Sequence, residues 1–236
     1  AAASYRMPKT SSTDGYNAVR YSTRNTTGVN RKKYMDTDAI QYLDHELAYT
    51  FELAGHHKGL RWEAAYIARK PFVDNAKWEA KVGEAPNMQQ AWGWYVQAGY
   101  LLFGGSQNYD AGGAKYTRTN NGREWGDIEL CARVEYLNLN ISKYVMGGSA
   151  YAYSLGLNYH VTKNVKFQIN YQFNDQDIFA NGKGAQDGTD KTAKNPYCTG
   201  YDAAGNVTKF PGDIAADSKS KGIDYMNFMT RYMRSS

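Results

Sequence analysis

The sequence predicts an all-β fold of antiparallel strands, and between a soluble sandwich and a transmembrane β-barrel it favours the barrel. Three observations carry this. Apolar or aromatic residues alternate with polar ones over runs of roughly 11–15 residues, beyond the five or six usual in globular strands. Tyr occurs 21 times and Trp five times, a choice of side chains that are apolar at one end and polar at the other. Long polar connections are interspersed with tight turns, the loop pattern of outer-membrane barrels.

The elements follow in order. Residues 4–9 and 16–22 are weak strand candidates. In "ELAYTFELAG", Leu47, Tyr49, Phe51 and Leu53 fall on one side; Glu46, Ala48, Thr50 and Glu52 fall on the other. "LRWEAAYIAR" sets Leu60, Trp62, Ala64, Tyr66 and Ala68 against Arg61, Glu63, Ala65, Ile67 and Arg69. "AWGWYVQAGYLLF" gives one face to Trp92, Trp94, Val96, Ala98, Tyr100 and Leu102. "GDIELCARVEYLNLN" opposes Ile128, Leu130, Ala132, Val134 and Tyr136 to Asp127, Glu129, Cys131, Arg133 and Glu135. The cleanest case is "YSLGLNYHVTKNVKFQINYQF", a hairpin. Its apolar face carries Tyr153, Leu155, Leu157, Tyr159, Val165, Phe167, Ile169 and Tyr171. Its polar face carries Ser154, Asn158, His160, Lys166, Gln168, Asn170 and Gln172. "IDYMNFMTRYMR" alternates less cleanly. The total is roughly nine strands, with no long amphipathic helix.

Tight turns are expected near 55–59 and 162–164, and long polar loops at 23–38, 70–90 and 177–221. The connection 104–124 is long where strand direction predicts a short turn. No fixed-length repeat is detectable.

Which face meets water is the deciding question. In a soluble protein the aromatic face packs on a core; in a transmembrane barrel it meets lipid and the polar face lines a lumen. Trp92, Trp94, Tyr66, Tyr136 and Tyr151 end the apolar stripes, where membrane girdles fall. The polar faces mix small residues with charges of both signs, which suits a wet interior. Mean hydropathy is −0.69 and no run approaches 18 apolar residues, so a helical span is excluded while a barrel is not. A net charge of +5 without a one-sign block gives little support for nucleic-acid binding. The opening "AAASYRMPKT" lacks a signal-peptide core, which points to a mature or internal start. Two cysteines, Cys131 and Cys198, provide neither a metal nor a disulfide framework and are expected as free thiols.

"GWYVQAGYLLFGG" (93–105), "GREWGDIELCARVEYLNLN" (122–140) and the 153–173 hairpin followed by "ANGKG" resemble the C-terminal half of the phosphate-selective porin O and P family. "RKKYMDTDAI" and "HELAYTFELAGHHKGLRWEAAYIA" extend the resemblance over about residues 31–175. The resemblance implies a sixteen-stranded, homotrimeric outer-membrane channel of a Gram-negative bacterium, with lipid and small solutes or anions such as phosphate as partners. It also implies that the segment after "YLLFGG" is extended on the periplasmic side. About seven N-terminal strands of the family have no counterpart, so the chain is expected to be one barrel domain, 1–236, forming the C-terminal part of a longer polypeptide. Such barrels usually end on an aromatic residue. This chain ends "RYMRSS", with Tyr232 its last aromatic, so an altered or misregistered final strand is expected.

The expected pore-lining residues are Glu46, Glu52, Arg61, Glu63, Arg69, Glu129, Arg133, Glu135, His160 and Lys166. Their charges nearly cancel, so the family's phosphate selectivity, which needs a one-sided ladder of cations, is not carried over. The resemblance allows the loop 23–38 to fold into the pore, where Arg24, Arg31, Lys32 and Lys33 would favour anions; a solvated basic stretch is the plainer reading. No catalytic site, metal or cofactor is expected. His56-His57 reads as a solvated turn, and alternation points His45 away from Asp44 and Glu46. Asp175, Asp177, Asp187 and Asp190 match no calcium loop and read as a solvated extracellular loop. The function expected is a passive channel for small solutes. The competing functions are a barrel scaffold or receptor acting through its long loops and a soluble carbohydrate-binding protein.

Overall fold

The computed structural model describes residues 1–8, 17–24, 33–83, 85–180, 200–201, 207–209 and 224–234. Fourteen strands and one helix follow in chain order: β1 (Ala2–Arg6), β2 (Ala18–Val19), β3 (Ile40–Gln41), β4 (Leu43–His57), β5 (Leu60–Val73), α1 (Asn75–Val82), β6 (Ala91–Leu101), β7 (Tyr109–Asp110), β8 (Lys115–Tyr116), β9 (Asp127–Ser142), β10 (Val145–Thr162), β11 (Val165–Gln176), β12 (Gly200–Tyr201), β13 (Val207–Lys209) and β14 (Tyr225–Arg234).

Eight of these strands form one antiparallel sheet, ordered β1-β4-β5-β6-β9-β10-β11-β14. Of the roughly nine strands read from the sequence, eight form this sheet among the described residues. The candidate at 16–22 contributes only Ala18 and Val19, which pair with Gln41 and Ile40 in a separate two-stranded sheet. The sheet is open: among the described residues β1 pairs only with β4, and β14 only with β11. The final strand is not misregistered. It pairs without interruption from Val165↔Arg234 to Asn174↔Tyr225.

Register keeps like with like. Leu155 lies opposite Ala132 and Tyr171, and Leu157 opposite Leu130 and Ile169. Asn158 lies opposite Glu129 and Gln168, and Ser154 opposite Arg133 and Gln172. A slip of one residue would reverse every strand's faces, so this pairing fixes one continuous apolar side and one polar side.

The tight turns fall at Lys58-Gly59 and Lys163-Asn164, at what is here termed the turn end. A further tight turn, Lys143-Tyr144, lies at the opposite, loop end, where only long loops are expected from the family pattern. The reason is length: β9 has 16 residues and β10 has 18, so they outrun their neighbours and close their hairpin beyond them. Their tip joins a buried apolar cluster of Val19, Tyr21, Met35, Ile40, Trp78 and Tyr144, among others. Helix α1, which the expected polar loop at 70–90 did not reveal, delivers Trp78 edge-on to Tyr144, ring centroids 6.0 Å apart. Asp74 starts that helix by accepting the backbone N–H of Lys77 at 3.2 Å. Its carboxyl is held below the usual range by the hydrogen bonds from Lys77.

Candidate functional site

Exposure is inverted relative to a soluble protein. Leu53, Val96, Leu130, Leu155, Ile169 and Phe228 are 45–67% exposed, whereas Glu46, Asp127, Glu129 and Asn158 are 0–4% exposed. Apolar side chains cover the outside of the sheet, and polar ones fill its concave inside.

The outer side is banded. Near the loop end an aromatic chain crosses the sheet from Tyr49 to Tyr66, Trp92, Tyr136, Tyr151, Tyr153 and Phe173, successive centroids 4.5–6.5 Å apart. Near the turn end Phe103, Trp125 and Tyr159 form a second cluster, and Phe167 meets Tyr232 at 5.1 Å. Aliphatic residues lie between: Val96, Ala98, Ala132, Val134, Leu155, Leu157 and Ile169. From Tyr153 to Tyr159 the band runs about 20 Å along the strand at roughly 3.4 Å per residue.

On the concave side the charges pair with one another. Glu129 accepts from Arg61 Nε at 2.5 Å, Gln107 Nε2 at 2.9 Å and Asn158 Nδ2 at 2.8 Å, with His160 Nε2 3.3 Å away. Gly99 makes room for this: a Cβ there would stand 2.5 Å from Glu129 Oε1. Glu46 pairs with Arg69 at 3.2 Å and with Arg6. Arg133 pairs with Glu135 at 2.5 Å and stacks over the Tyr95 ring at 3.9 Å. Glu63 accepts from Gln97 at 2.9 Å and from Tyr95. Glu52 is exposed beside Thr50, and Lys166 lies opposite His160 and Met233.

Two segments cross this concavity. At the loop end, residues 17–24 and 33–42 run as a strap tied internally by Arg20 and Asp36, Nε–Oδ1 2.7 Å. The strap is anchored on β4 by Tyr21 Oη donating to Glu46 at 2.9 Å, on β10 by Asp36 N–H donating to Gly147 O at 2.9 Å, and beside β14 by Tyr34 against Tyr225 at 5.4 Å. Burial, reinforced by the nearby Glu46 carboxylate, raises the Tyr21 phenol above its ordinary pKa. Arg24 and Lys33 belong to this strap; Arg31 and Lys32 lie outside the described residues. Arg24, Arg69, Tyr95, Glu135, Asn174 and Tyr225 are among the residues around a cavity of about 370 Å³.

At the turn end, residues 102–126 fold back beneath the same concavity. The single Tyr116 Oη proton is shared between Gly55 O at 2.7 Å and Trp62 O at 2.6 Å, and the Arg61 guanidinium lies over the Tyr116 ring, 5.6 Å from its centroid. Thr119 Oγ1 meets His160 Nδ1 at 3.3 Å. Asp127 fixes the ends of the segment by accepting the N–H groups of Phe103, Gly105, Gly122 and Ile128 at 2.8–3.0 Å. The anomalously long connection thus spans the concavity from β4–β5 to β10. Tyr21, Gln107 and Tyr116 were missed by the sequence reading, because their partners are 22–61 residues away and the alternation pattern says nothing of loops; Asp127 was read only as a polar-face residue.

Other expectations resolve as follows. His45 does meet a neighbour: its Nδ1 is 2.8 Å from Asp44 Oδ2, because the register shifts between Leu43 and His45 and turns Asp44 out of strict alternation. Asp177 is a turn clasp, accepting from Asn140, Ser149, Phe179 and Ala180, while Asp187 and Asp190 lie outside the described residues. Cys131 is a free thiol; Cys198 lies outside the described residues.

An inverted sheet with banded aromatics and inward-folded segments is a membrane-barrel wall in its physics. The sequence model of the family phosphate-selective porin O and P matches residues 1–192. The chain belongs to this family. Porins of the family are proteins of the bacterial outer membrane, and their wall is a β-barrel passing small solutes. A comparison with curated proteins gives no match. For a porin wall, the outward Tyr and Trp belong to the membrane interfaces and the aliphatic belt to hydrocarbon.

Proposed function

We propose that this porin chain is one wall of a passive diffusion channel for small hydrophilic solutes, with the concave face as its lumen. The inversion of exposure supports this reading above all else. The lumen is lined by Glu46, Glu52, Arg61, Glu63, Arg69, Glu129, Arg133, Glu135, His160 and Lys166, all on the polar face. Because Arg61, Arg69 and Arg133 are each neutralised by a carboxylate, these strands confer little ion selectivity. Any anion preference, phosphate included, comes from the loop 23–38 through Arg24, Arg31, Lys32 and Lys33. Among the described residues the outer edges of β1 and β14 are unpaired; hydrocarbon does not tolerate such edges, so strands outside this sheet would complete a single barrel domain. The homotrimer remains what family membership implies.

Planar-bilayer recording of the full-length protein tests this. Discrete conductance steps are expected, and a scaffold or receptor without a pore would give none. Under a KCl gradient, replacing Arg24, Arg31, Lys32 and Lys33 by Ala is expected to lower the anion-to-cation permeability ratio. An unchanged ratio would remove this loop as the filter.

A further inference from the structure

β11 presents Lys166 and then five consecutive amides, Gln168, Asn170, Gln172, Asn174 and Gln176, to the concave side. At about 3.4 Å per residue these five form a rail roughly 27 Å long. Neighbouring strands widen it: Asn158 Oδ1 accepts from Gln168 at 2.8 Å, and Asn227 Nδ2 donates to Gln172 at 3.3 Å. Gly156 keeps the rail clear, since a Cβ there would come within 2.7 Å of Asn170 Oδ1. Across from it the charges are spent on one another, as Arg61 with Glu129 and Arg133 with Glu135.

Two cavities of the concave face border the amides of the rail. Asn174 and Gln176 line the one of about 370 Å³, and Gln168 and Asn170 line one of about 200 Å³. The larger falls within the range typical of small-molecule sites. Asn174 and Gln176 are only 5% and 6% exposed, yet Asn174 Nδ2 and Gln176 Oε1 have no hydrogen-bond partner among the described residues. Buried polar atoms without partners are costly and rare. One of these is a donor and the other an acceptor. An anion without a proton would serve the donor and repel the acceptor, whereas a hydroxyl serves both. Beside them Tyr225, its ring 5.4 Å from that of Tyr34, borders the same cavity, and an aromatic ring is suited to the C–H groups of a pyranose.

We propose that the β11 amide rail is a binding track for neutral polyhydroxylated solutes, small oligosaccharides being the class it fits. This rests on the channel reading above. The test uses maltotriose on the full-length protein in planar bilayers, with a polyethylene glycol of similar mass as the control for size. Maltotriose is expected to lower conductance saturably, and the polymer only weakly and without saturation. The double variant N174L/Q176M, whose own conductance steps show that it folds, is expected to raise the half-blocking concentration by about fivefold or more. Open steps with no saturable block by maltotriose, or an unchanged half-blocking concentration in the variant, would overturn the track while leaving the channel intact. Saturable block by inorganic phosphate with none by maltotriose would overturn it too. Absence of any conductance step would bring down the channel and the track together.

Discussion

Tyr21 donates from its phenol to Glu46 Oε1 across 2.9 Å, and this bond fastens an inward strap to the wall of the sheet. Glu46 is also held by Arg69 and Arg6, so the strap's anchor is a shared carboxylate. Hydrogen bonds to charged groups contribute about 1.5–3 kcal/mol. Tyr21→Phe therefore loosens the strap, at the low end of that range because two cations still satisfy Glu46. Looser anchoring is expected to appear as increased open-channel current noise. The phenol's pKa is raised by burial and by Glu46, so the sign follows. The anchor's contribution is complete below the ordinary tyrosine value of about 10 and is lost as pH climbs through the raised one. Noise in the wild-type channel should therefore stay flat through about pH 10, with the phenol still protonated. Equal open-channel noise in wild type and Tyr21→Phe at neutral pH would dismiss Tyr21 as the anchor.

The two sides of β10 differ in what they tolerate. Leu157 faces out in the aliphatic belt, while its neighbour on the other face, Ser154, borders the smaller cavity. Leu157→Arg should destabilise the folded protein by about 2–4 kcal/mol, the cost of a cation near the bilayer midplane. Ser154→Arg should cost much less, because its side chain reaches a hydrated space. Denaturant titration of protein folded into phospholipid vesicles measures both. Equal losses, or a larger one for Ser154→Arg, would mean that oil does not lie on the Leu157 side.

Asp127 carries a different burden. Its carboxylate gathers four backbone N–H groups and is fully buried. Asp127→Ala orphans donors at both ends of the 102–126 segment, each costing about 1–3 kcal/mol. Thermal unfolding of the barrel is expected to shift downward, and protease should cut 102–126 before the strands. Protection of that segment equal to wild type would show that Tyr116 and Thr119 hold it without Asp127.

How much of this was legible beforehand follows from range. Strand faces are local, so Leu155, Leu157 and Ile169 could be set against Asn158 and Gln168 from spacing alone, and the pairing bears that out. The polar face was legible residue by residue, as Glu129 and Arg61 demonstrate, but their ion pair spans 68 positions and leaves no local trace. Helix α1 was lost in a polar stretch because it is only eight residues long and buries chiefly Trp78. Gln168, Asn170 and Gln172 were read as polar-face residues, yet Asn174 and Gln176 were not joined to them; five amides at every second position were the available signal. Asp44 broke the rule for a stated reason, a register shift that alternation cannot anticipate.

Glu129 is the charge on which the turn end depends. It is 1% exposed and accepts from Arg61, Gln107 and Asn158, with His160 close by. Glu129→Gln keeps the shape and removes the charge, leaving the Arg61 guanidinium uncompensated beside the lumen. Breaking a buried pair from one side costs about 3–5 kcal/mol, so lower resistance to denaturant is expected. The liberated cation should also draw anions, raising the anion-to-cation permeability ratio read from reversal potentials. Arg61→Gln made in the same chain removes the surplus charge and should return the ratio toward wild type, while stability recovers in part. The two changes are in contact, so their effects must be non-additive. A folded Glu129→Gln channel whose reversal potential matches wild type would take this pair out of the ion path, whatever its worth to the fold.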